Sequence, residues 1–376
     1  MMIKTTEVTL SMLYRNTDDP DNPHGGPMWV AARGFKRWNL GFVGKVVGWI
    51  FCLTLIISTL TGGNMFQAWN VAKITTTYFP SVPAPAIGII IAVVVGMVII
   101  GGIKRIGAVT GRLVPLMCAM YLLAAIYVII MNIGQVPAML KLIVVSALPD
   151  FLGGQAADAS GAFMGGTFGY AFLWGMKRAL FSNEAGQGSS PIAHSAAKTD
   201  EPVREGIVAG LEPFIDTIVV CTLTALVVLS SGAWNRESAA SYSEAPPIVQ
   251  AVDATGAPIK GKWVPARKDV PSKTEFAERT SNVWRANDEV FVVVRGELDD
   301  QTGRELHKIN GKLVKGDNDT LRVEWEAFSA ESSPVSEDPG LYMNLPGAAL
   351  TGYAFDRVQP GMGMWIVTTA CWLFAI

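Results

Sequence analysis

The sequence predicts an all-α integral membrane protein carrying a small β-rich insertion outside the membrane. Three observations predict it. Half of the 376 residues are apolar and only 16% are charged, where soluble domains carry about 25% charged residues. The apolar residues are gathered into runs of membrane-crossing length. Residues 233–340 differ from the rest, being charged and patterned in alternation.

Taken in order, residues 1–39 form a polar entry segment with Arg15, Arg33, Lys36 and Arg37 and a turn-rich centre, Asp18-Asp19-Pro20-Asp21-Asn22-Pro23. The first apolar run is Leu40–Leu60, with Lys45 near one end where it can snorkel to the interface. Ala86–Ile103, Leu113–Ile133, a weaker Phe163–Leu180 and Ile207–Leu229 follow. Each approaches the roughly 20 residues that cross about 30 Å of hydrocarbon. Pro80, Pro83 and Pro85 separate the first two runs, while Pro137 and Pro149 bracket Ala138–Leu148. That segment, at about 11 residues, is too short to cross and reads as an interfacial or re-entrant helix. Gly44 with Gly48, and Gly165 with Gly169, give the small-xxx-small spacing that lets helix backbones approach closely.

The loops alternate in charge. The entry segment, a short loop Ile103–Arg112 with Lys104, Arg105 and Arg112, and the loop holding Lys198 and Arg204 are basic; the alternate loops carry only Lys73 or Lys141. The positive-inside rule makes the basic loops cytoplasmic. The span ending at Leu229 then delivers 233–340 to the extracytoplasmic side. In that stretch Glu289–Val294 and Leu321–Trp325 alternate as strands do, and Lys315-Gly316-Asp317-Asn318-Asp319 is a turn signal. Beyond it, 341–376 opens a further transmembrane helix; the run Met362–Ile376 is about 15 residues, roughly 22 Å, so the chain is expected to be truncated there.

The segment Arg178–Ser189 is the chemical centre of the chain. A carboxylate (Glu184), two amides (Asn183, Gln187), two glycines (Gly186, Gly188) and the hydroxyls of Ser182, Ser189 and Ser190 interrupt a membrane-length region, 163–198. Unsatisfied backbone groups in hydrocarbon cost several kcal/mol, so irregular chain at that depth lines a cavity and commonly holds a polar ligand or ion. Ser182, Asn183 and the backbone near Gly186 and Gly188 fit an unwound linker. A half-helix ending at Leu180 offers carbonyls suited to a cation; one starting near Ala185 offers amides suited to a carboxylate. Glu184 is either part of an ion or amine site, a proton carrier, or an acceptor that stabilises the break. An ordinary loop between two spans is the plainer alternative, and Lys177-Arg178 keeps it open.

Other polar groups lie nearby in hydrophobic surroundings. Asn64 and Gln67, three apart after Gly62-Gly63, share a helical face and either bridge helices or point into a cavity. Glu212 and Asp216, four apart and followed by Thr217, Thr222 and Thr224, form either an ion path or a network holding helices together. The four cysteines fall in apolar runs and suggest buried lipid- or core-facing thiols, not a disulfide framework. His24, His194 and His307 have no ligand spacing, so no metal site and no cofactor is expected from them. There is no basic stripe for nucleic acid and no Ser/His pair or nucleophile motif for an enzyme.

These motifs resemble the alanine or glycine:cation symporter family, also called sodium:alanine symporters. The resemblance runs through Gly25-Gly26-Pro27-Met28, Gly63-Asn64-Met65-Phe66-Gln67 and Arg178–Gly186, continues through Phe214-Ile215-Asp216-Thr217 and Cys221-Thr222, and resumes at Gly347–Thr351. It thus covers most of residues 1–232 and 341–376, with Leu180–Gly186 its most specific string. It implies two inverted five-helix repeats, like the bacterial leucine transporter. By implication a small neutral amino acid, alanine or glycine, enters with sodium across the cytoplasmic (inner) membrane by alternating access. The run Leu40–Tyr78 resembles the family's third core helix and Phe163–Lys198 its discontinuous sixth. Gln67, Phe181, Ser182 and Asn183 match positions near the amino acid; Glu184, Gly186, Asn64 and Asp216 are candidates for the ion or for stabilising the break. The first two core helices should precede residue 1, with only the tail of the second fitting at Thr6–Tyr14, and 233–340 looks like an insertion. The runner-up is a non-transporting scaffold or sensor whose external module binds a partner.

Overall fold

The computed structural model describes residues 1–19, 22–147, 170–253, 255–266, 269–272, 284–298, 305–316 and 320–376. It is mostly helical, with a β-sheet region, and divides into two compact units: Met1–Tyr127, Leu173–Leu226 and Trp365–Ile376 in one, Val128–Phe172 and Val227–Met364 in the other.

The helices of the first half are α1 (Met2–Tyr14), α2 (Pro27–Gly34), α3 (Gly41–Ser58), α4 (Phe66–Tyr78), α5 (Ala84–Ile99), α6 (Gly102–Met131) and α7 (Val136–Ala147). Then come α8 (Tyr170–Asn183), α9 (Ser189–His194), α10 (Pro202–Pro213), α11 (Thr222–Ser230), α12 (Ala348–Val358) and α13 (Thr368–Ala375). A π-helical turn, Thr59–Met65, joins α3 to α4 without a break, so Gly41–Tyr78 is one 38-residue helix. A second wide turn, Phe214–Cys221, joins α10 to α11, and a third, Gly363–Val367, leads into α13. Gly41–Tyr78, Gly102–Met131 and Pro202–Ser230 are long and apolar enough to cross a membrane. On α3 the side chains of Phe42, Trp49, Ile50, Leu53, Ile56 and Ile57 are all exposed. An exposed apolar stripe of this kind suits contact with lipid or with other apolar helices.

Two sequence expectations need correction here. The expected basic loop Ile103–Arg112 is helical and forms the start of α6. The chain turns instead at Ile100–Gly102, where Gly102 takes φ +71°. Gly107 and Gly111 cost about 1 kcal/mol each relative to alanine and do not stop a helix. Lys73 and Lys141 likewise sit on α4 and α7, not in loops. The short apolar segment after Pro137 is the 12-residue α7, and Gly165 with Gly169 lie outside the described residues.

Gly44 and Gly48 do what their spacing allows: a β-carbon at Gly44 would lie 2.8 Å from Phe35 Cβ, and one at Gly48 3.2 Å from the Met28 carbonyl. α2 therefore lies directly on α3. Val71, Ile87 and Ile91 pack α4 on α5, with Cys371 and Trp372 of α13 against them. α1, read from its composition as part of a polar segment, is a packed helix with Lys4, Val8, Ser11 and Met12 buried.

Among the described residues of the second unit, nine short strands form two antiparallel sheets. They are β1 (Ala240–Ser241), β2 (Ile248–Val252), β3 (Pro258–Pro265), β4 (Glu289–Arg295), β5 (Leu306–Lys315), β6 (Leu321–Trp325), β7 (Phe328–Ser329), β8 (Val335–Ser336) and β9 (Gly340–Met343). The larger sheet runs β1-β9-β4-β5-β6, with β8 also on β4; the smaller is β2-β3-β7. Central strand β4 is hydrophobic on both faces because both are covered. Val290, Val292 and Val294 enter a core with Ile309, Leu313, Val323 and Leu341. Phe291, on the other face, stacks on Tyr342 with centroids 5.2 Å apart. Lys315 and Gly316 precede the β5–β6 reversal, and the rest of the expected turn, 317–319, lies outside the described residues.

Candidate functional site

Two helices flank a short irregular stretch that lies later in the chain than the sequence placed it. α8 continues through Asn183, so Ser182 and Asn183 belong to its last turn and not to an unwound linker. The irregular chain is 184–188, and α9 starts at Ser189, not near Ala185. Backbone conformation explains the shift. Glu184 takes the left-handed region at φ +51°, followed by Gly186 at +81° and Gly188 at +82°. A non-glycine residue pays about 1–2 kcal/mol to sit there, and the Glu184 carboxylate offsets part of it by accepting a hydrogen bond from Ser189 Oγ at 2.8 Å. Gly188 has no alternative: a β-carbon would lie 2.7 Å from Phe51 Cε2 and 2.8 Å from Pro27 Cγ.

The last turn of α8 presents three consecutive side chains, two of them meeting one wide turn and the third packing at the end of another. Phe181 packs edge-on against Phe66, centroids 5.7 Å apart, and a β-carbon on Gly62 would lie 3.3 Å from its ring. Gly62 is in the Thr59–Met65 π turn and Phe66 follows it. Ser182 Oγ donates a short hydrogen bond to Asp216 Oδ2, and Thr217 Oγ1 donates to Asn183 Oδ1 at 3.0 Å. Asp216 and Thr217 are both in the Phe214–Cys221 π turn. Wide turns of this sort shift one residue out of the α register and recur at functional sites. The structure thus brings Phe181, Ser182, Asn183 and Asp216 together. Asn64 lies in the first π turn and Gln67 at the start of α4, but among the described residues neither is hydrogen-bonded to the break. Glu212, before the π turn, and Asp216, within it, have separate tasks: Glu212 pairs with Lys4, and Asp216 with Ser182. Thr224 holds Tyr121 of α6 at 2.6 Å, a link between helices.

Composition did not reveal the partner of the broken segment. One face of α1 follows it from end to end. Lys4 Nζ donates to the Asn183 carbonyl at 2.9 Å and pairs with Glu212 at 2.5 Å. The Glu7 carboxylate accepts the Gly186 amide, its oxygens at 3.2 and 3.1 Å. Ser11 Oγ donates to the Pro191 carbonyl at 2.9 Å. The Arg15 guanidinium donates to the carbonyls of Ser195, Ala197 and Thr199. Positions 4, 7, 11 and 15 fall on one helical stripe. The Asn183 carbonyl, at the end of α8, and the Gly186 amide, within the irregular stretch, are therefore held by side chains of the protein itself. The Gly-Gly-Pro-Met motif closes the other side: a β-carbon at Gly25 would lie 2.5 Å from Ser195 Cβ, and one at Gly26 2.6 Å from Ile192 Cγ1. The missed signal was Gly206 with Gly210 on α10, a small-xxx-small pair against Thr5 and Thr9 of α1.

Comparison with known proteins places the chain among transporters. An uncharacterized transporter of Bacillus subtilis is 38% identical over 241 residues, covering 64% of this chain and 48% of its own length. A sodium/alanine symporter of Methanococcus maripaludis is 39% identical over 234 residues, 62% of this chain and 48% of its own. An amino-acid carrier protein of Bacillus subtilis is 33% identical over 224 residues, 59% of this chain and 44% of its own. The chain spans about half the length of these curated relatives, which are transporters and not enzymes. The match to the family profile ends at residue 264, within β3, so 341–376, where the sequence resemblance resumes, lies outside it. The profile of the sodium:alanine symporter family matches residues 1–264, and this chain, a multi-pass membrane protein, belongs to that family.

Proposed function

We propose that the protein to which this chain belongs couples sodium entry to uptake of a small neutral amino acid, alanine or glycine, across the cytoplasmic membrane. The observation that carries the reading is the last turn of α8, where Phe181, Ser182 and Asn183 project from a broken helix against the wide turns of two other membrane helices. A ring, a hydroxyl and an amide suit an aliphatic amino acid: the ring covers the small side chain, and the polar groups orient its ends. Gln67, one residue beyond the ring contact at Phe66, completes the amino-acid side of the site. Asp216 and Asn64 supply oxygens from the two π turns for sodium, a hard cation that takes oxygen ligands. Glu184 and Gly186 hold the shape of the break.

In this reading the complete protein has the inverted-repeat fold of the bacterial leucine transporter and works by alternating access around the break. The module between β1 and β9 lies on the extracytoplasmic side. A transport role is favoured over a scaffold or sensor because the last turn of α8 engages the wide turns of two membrane-length helices. The test is uptake of labelled alanine, glycine and glutamine into vesicles holding the full-length protein, with sodium or choline outside. Sodium-dependent accumulation of alanine or glycine supports the proposal; equal uptake in both salts refutes the coupling. Asn183→Ala and Gln67→Ala are each expected to raise the apparent KM, and unchanged kinetics in both would remove the assigned site.

A further inference from the structure

The polarity of the broken segment is matched, group by group, by one face of α1. At the carbonyl end of α8 stands a buried ammonium, Lys4; at the freed amide of Gly186 stands a carboxylate, Glu7. This is the arrangement the helix dipole favours, a cation at a carbonyl terminus and an anion at free amides. Ser11 and Arg15 extend the same stripe to Pro191 and to the carbonyls of 195–199. Lys4 is fully buried, and a buried charge is tolerated only when paired; here both the Asn183 carbonyl and Glu212 pair it. Its bond falls on the backbone of the residue whose side chain Thr217 holds. Two helices thus grip Asn183 from its two ends, α1 by the main chain and the π turn by the amide.

We propose that Lys4 and Glu7 are positioning residues: they set the shape of the 183–188 chain, and so the placement of Ser182 and Asn183, without touching the transported solute. The proposal rests on the transport reading for its kinetic consequence but not for its structural one. Lys4 and Glu7 act as an internal cation and anion that occupy the polar ends of the break, leaving the side chains of the last α8 turn to face the solute. α10 belongs to the same brace, because Glu212 on it is the ion-pair partner of Lys4 at the carbonyl. Any solute-driven movement of α8 against α1 must then break or carry along this ion pair and two charge-assisted hydrogen bonds.

The experiment uses the full-length protein in vesicles, with native cysteines replaced by alanine and one cysteine placed at Ala185, a half-buried position in the break. Two substitutions are compared at each site. Lys4→Gln and Glu7→Gln keep a neutral hydrogen-bonding group; Lys4→Met and Glu7→Leu keep bulk without it. Loss of a bond to a charged group shifts an equilibrium about tenfold or more. Labelling of the cysteine by a membrane-permeant maleimide is therefore expected to rise about tenfold in the Met and Leu variants and less in the Gln variants. The apparent KM for the amino acid should rise in the same order while expression stays level. A role in packing alone predicts the reverse ranking, since Met fills a buried lysine site better than Gln does, and that ranking overturns the proposal. So does unchanged labelling in all four variants. If the parent protein takes up no amino acid, the transport reading fails, while the labelling order still decides whether α1 braces the break.

Discussion

Asn183 shows how little of a residue's role is its own chemistry. Its carbonyl is held by Lys4 and its side-chain oxygen by Thr217, so its amide nitrogen is aimed by two other helices. Thr217→Val removes that donor with almost no change in volume. A neutral hydrogen bond contributes about 0.5–1.5 kcal/mol, so the apparent KM for the amino acid should rise about two- to tenfold, measured as initial sodium-dependent uptake. Glu184 illustrates the opposite balance, a strained φ of +51° retained beside a useful carboxylate. Ser182 and Asp216 are joined directly, so Asp216→Asn should weaken sodium activation of uptake more than it weakens the amino-acid KM, read from uptake at graded sodium.

At the scale of elements, the packing of α1 on α10 depends on the absence of side chains. A β-carbon on Gly206 would lie 2.8 Å from the Thr5 carbonyl, with Thr9 closer still. Gly206→Leu should destabilise the protein by about 1–3 kcal/mol, as overpacking does, and lower the midpoint of thermal unfolding in detergent. In the β module, Ile309→Ala should cost about 2–5 kcal/mol by opening a cavity beside β4, seen as lost amide protection in β4 and β5. Its surface adds a pH response. The hydroxyl and amide of Ser332 hold the Glu297 carboxyl below its ordinary range, and the Arg295 guanidinium does the same for Glu337. A depressed carboxyl stabilises the fold above its unfolded value, and that contribution is lost as pH falls through the folded one. Proteolysis of the module should therefore quicken on acidification below the usual carboxylate range, and less so in Glu297→Gln with Glu337→Gln.

For the whole chain, the module's connection to the helices gives a test of its independence. β1 pairs with β9, Ala240 opposite Leu341 and Ser241 opposite Gly340. Paired antiparallel residues lie about 4.5–5.5 Å apart at Cα, so the chain enters and leaves the module at adjacent points. Joining Ser241 to Gly340 through an Asn-Gly turn should preserve folding and sodium-dependent uptake by the full-length protein. Loss of uptake with normal expression would show that the module takes part in transport.

The hydrophobic runs and the string Leu180–Gly186 by themselves determined that this is a helical membrane protein of the symporter family with a polar break in one helix. They carried that much because burial in lipid is written in composition and length, and a helix cannot lose its backbone bonds there without leaving polar residues as a mark. Only the tertiary structure decided where the break begins, which wide turns meet it and what satisfies it. A π turn depends on backbone register, not residue type, and so leaves no periodic signal at Thr59–Met65 or Phe214–Cys221. Lys4 and Glu7 lie about 180 residues from the groups they hold. Nothing local in the sequence marks their partners, and packing α1 against α10 through Gly206 and Gly210 is what brings them to the 183–188 stretch.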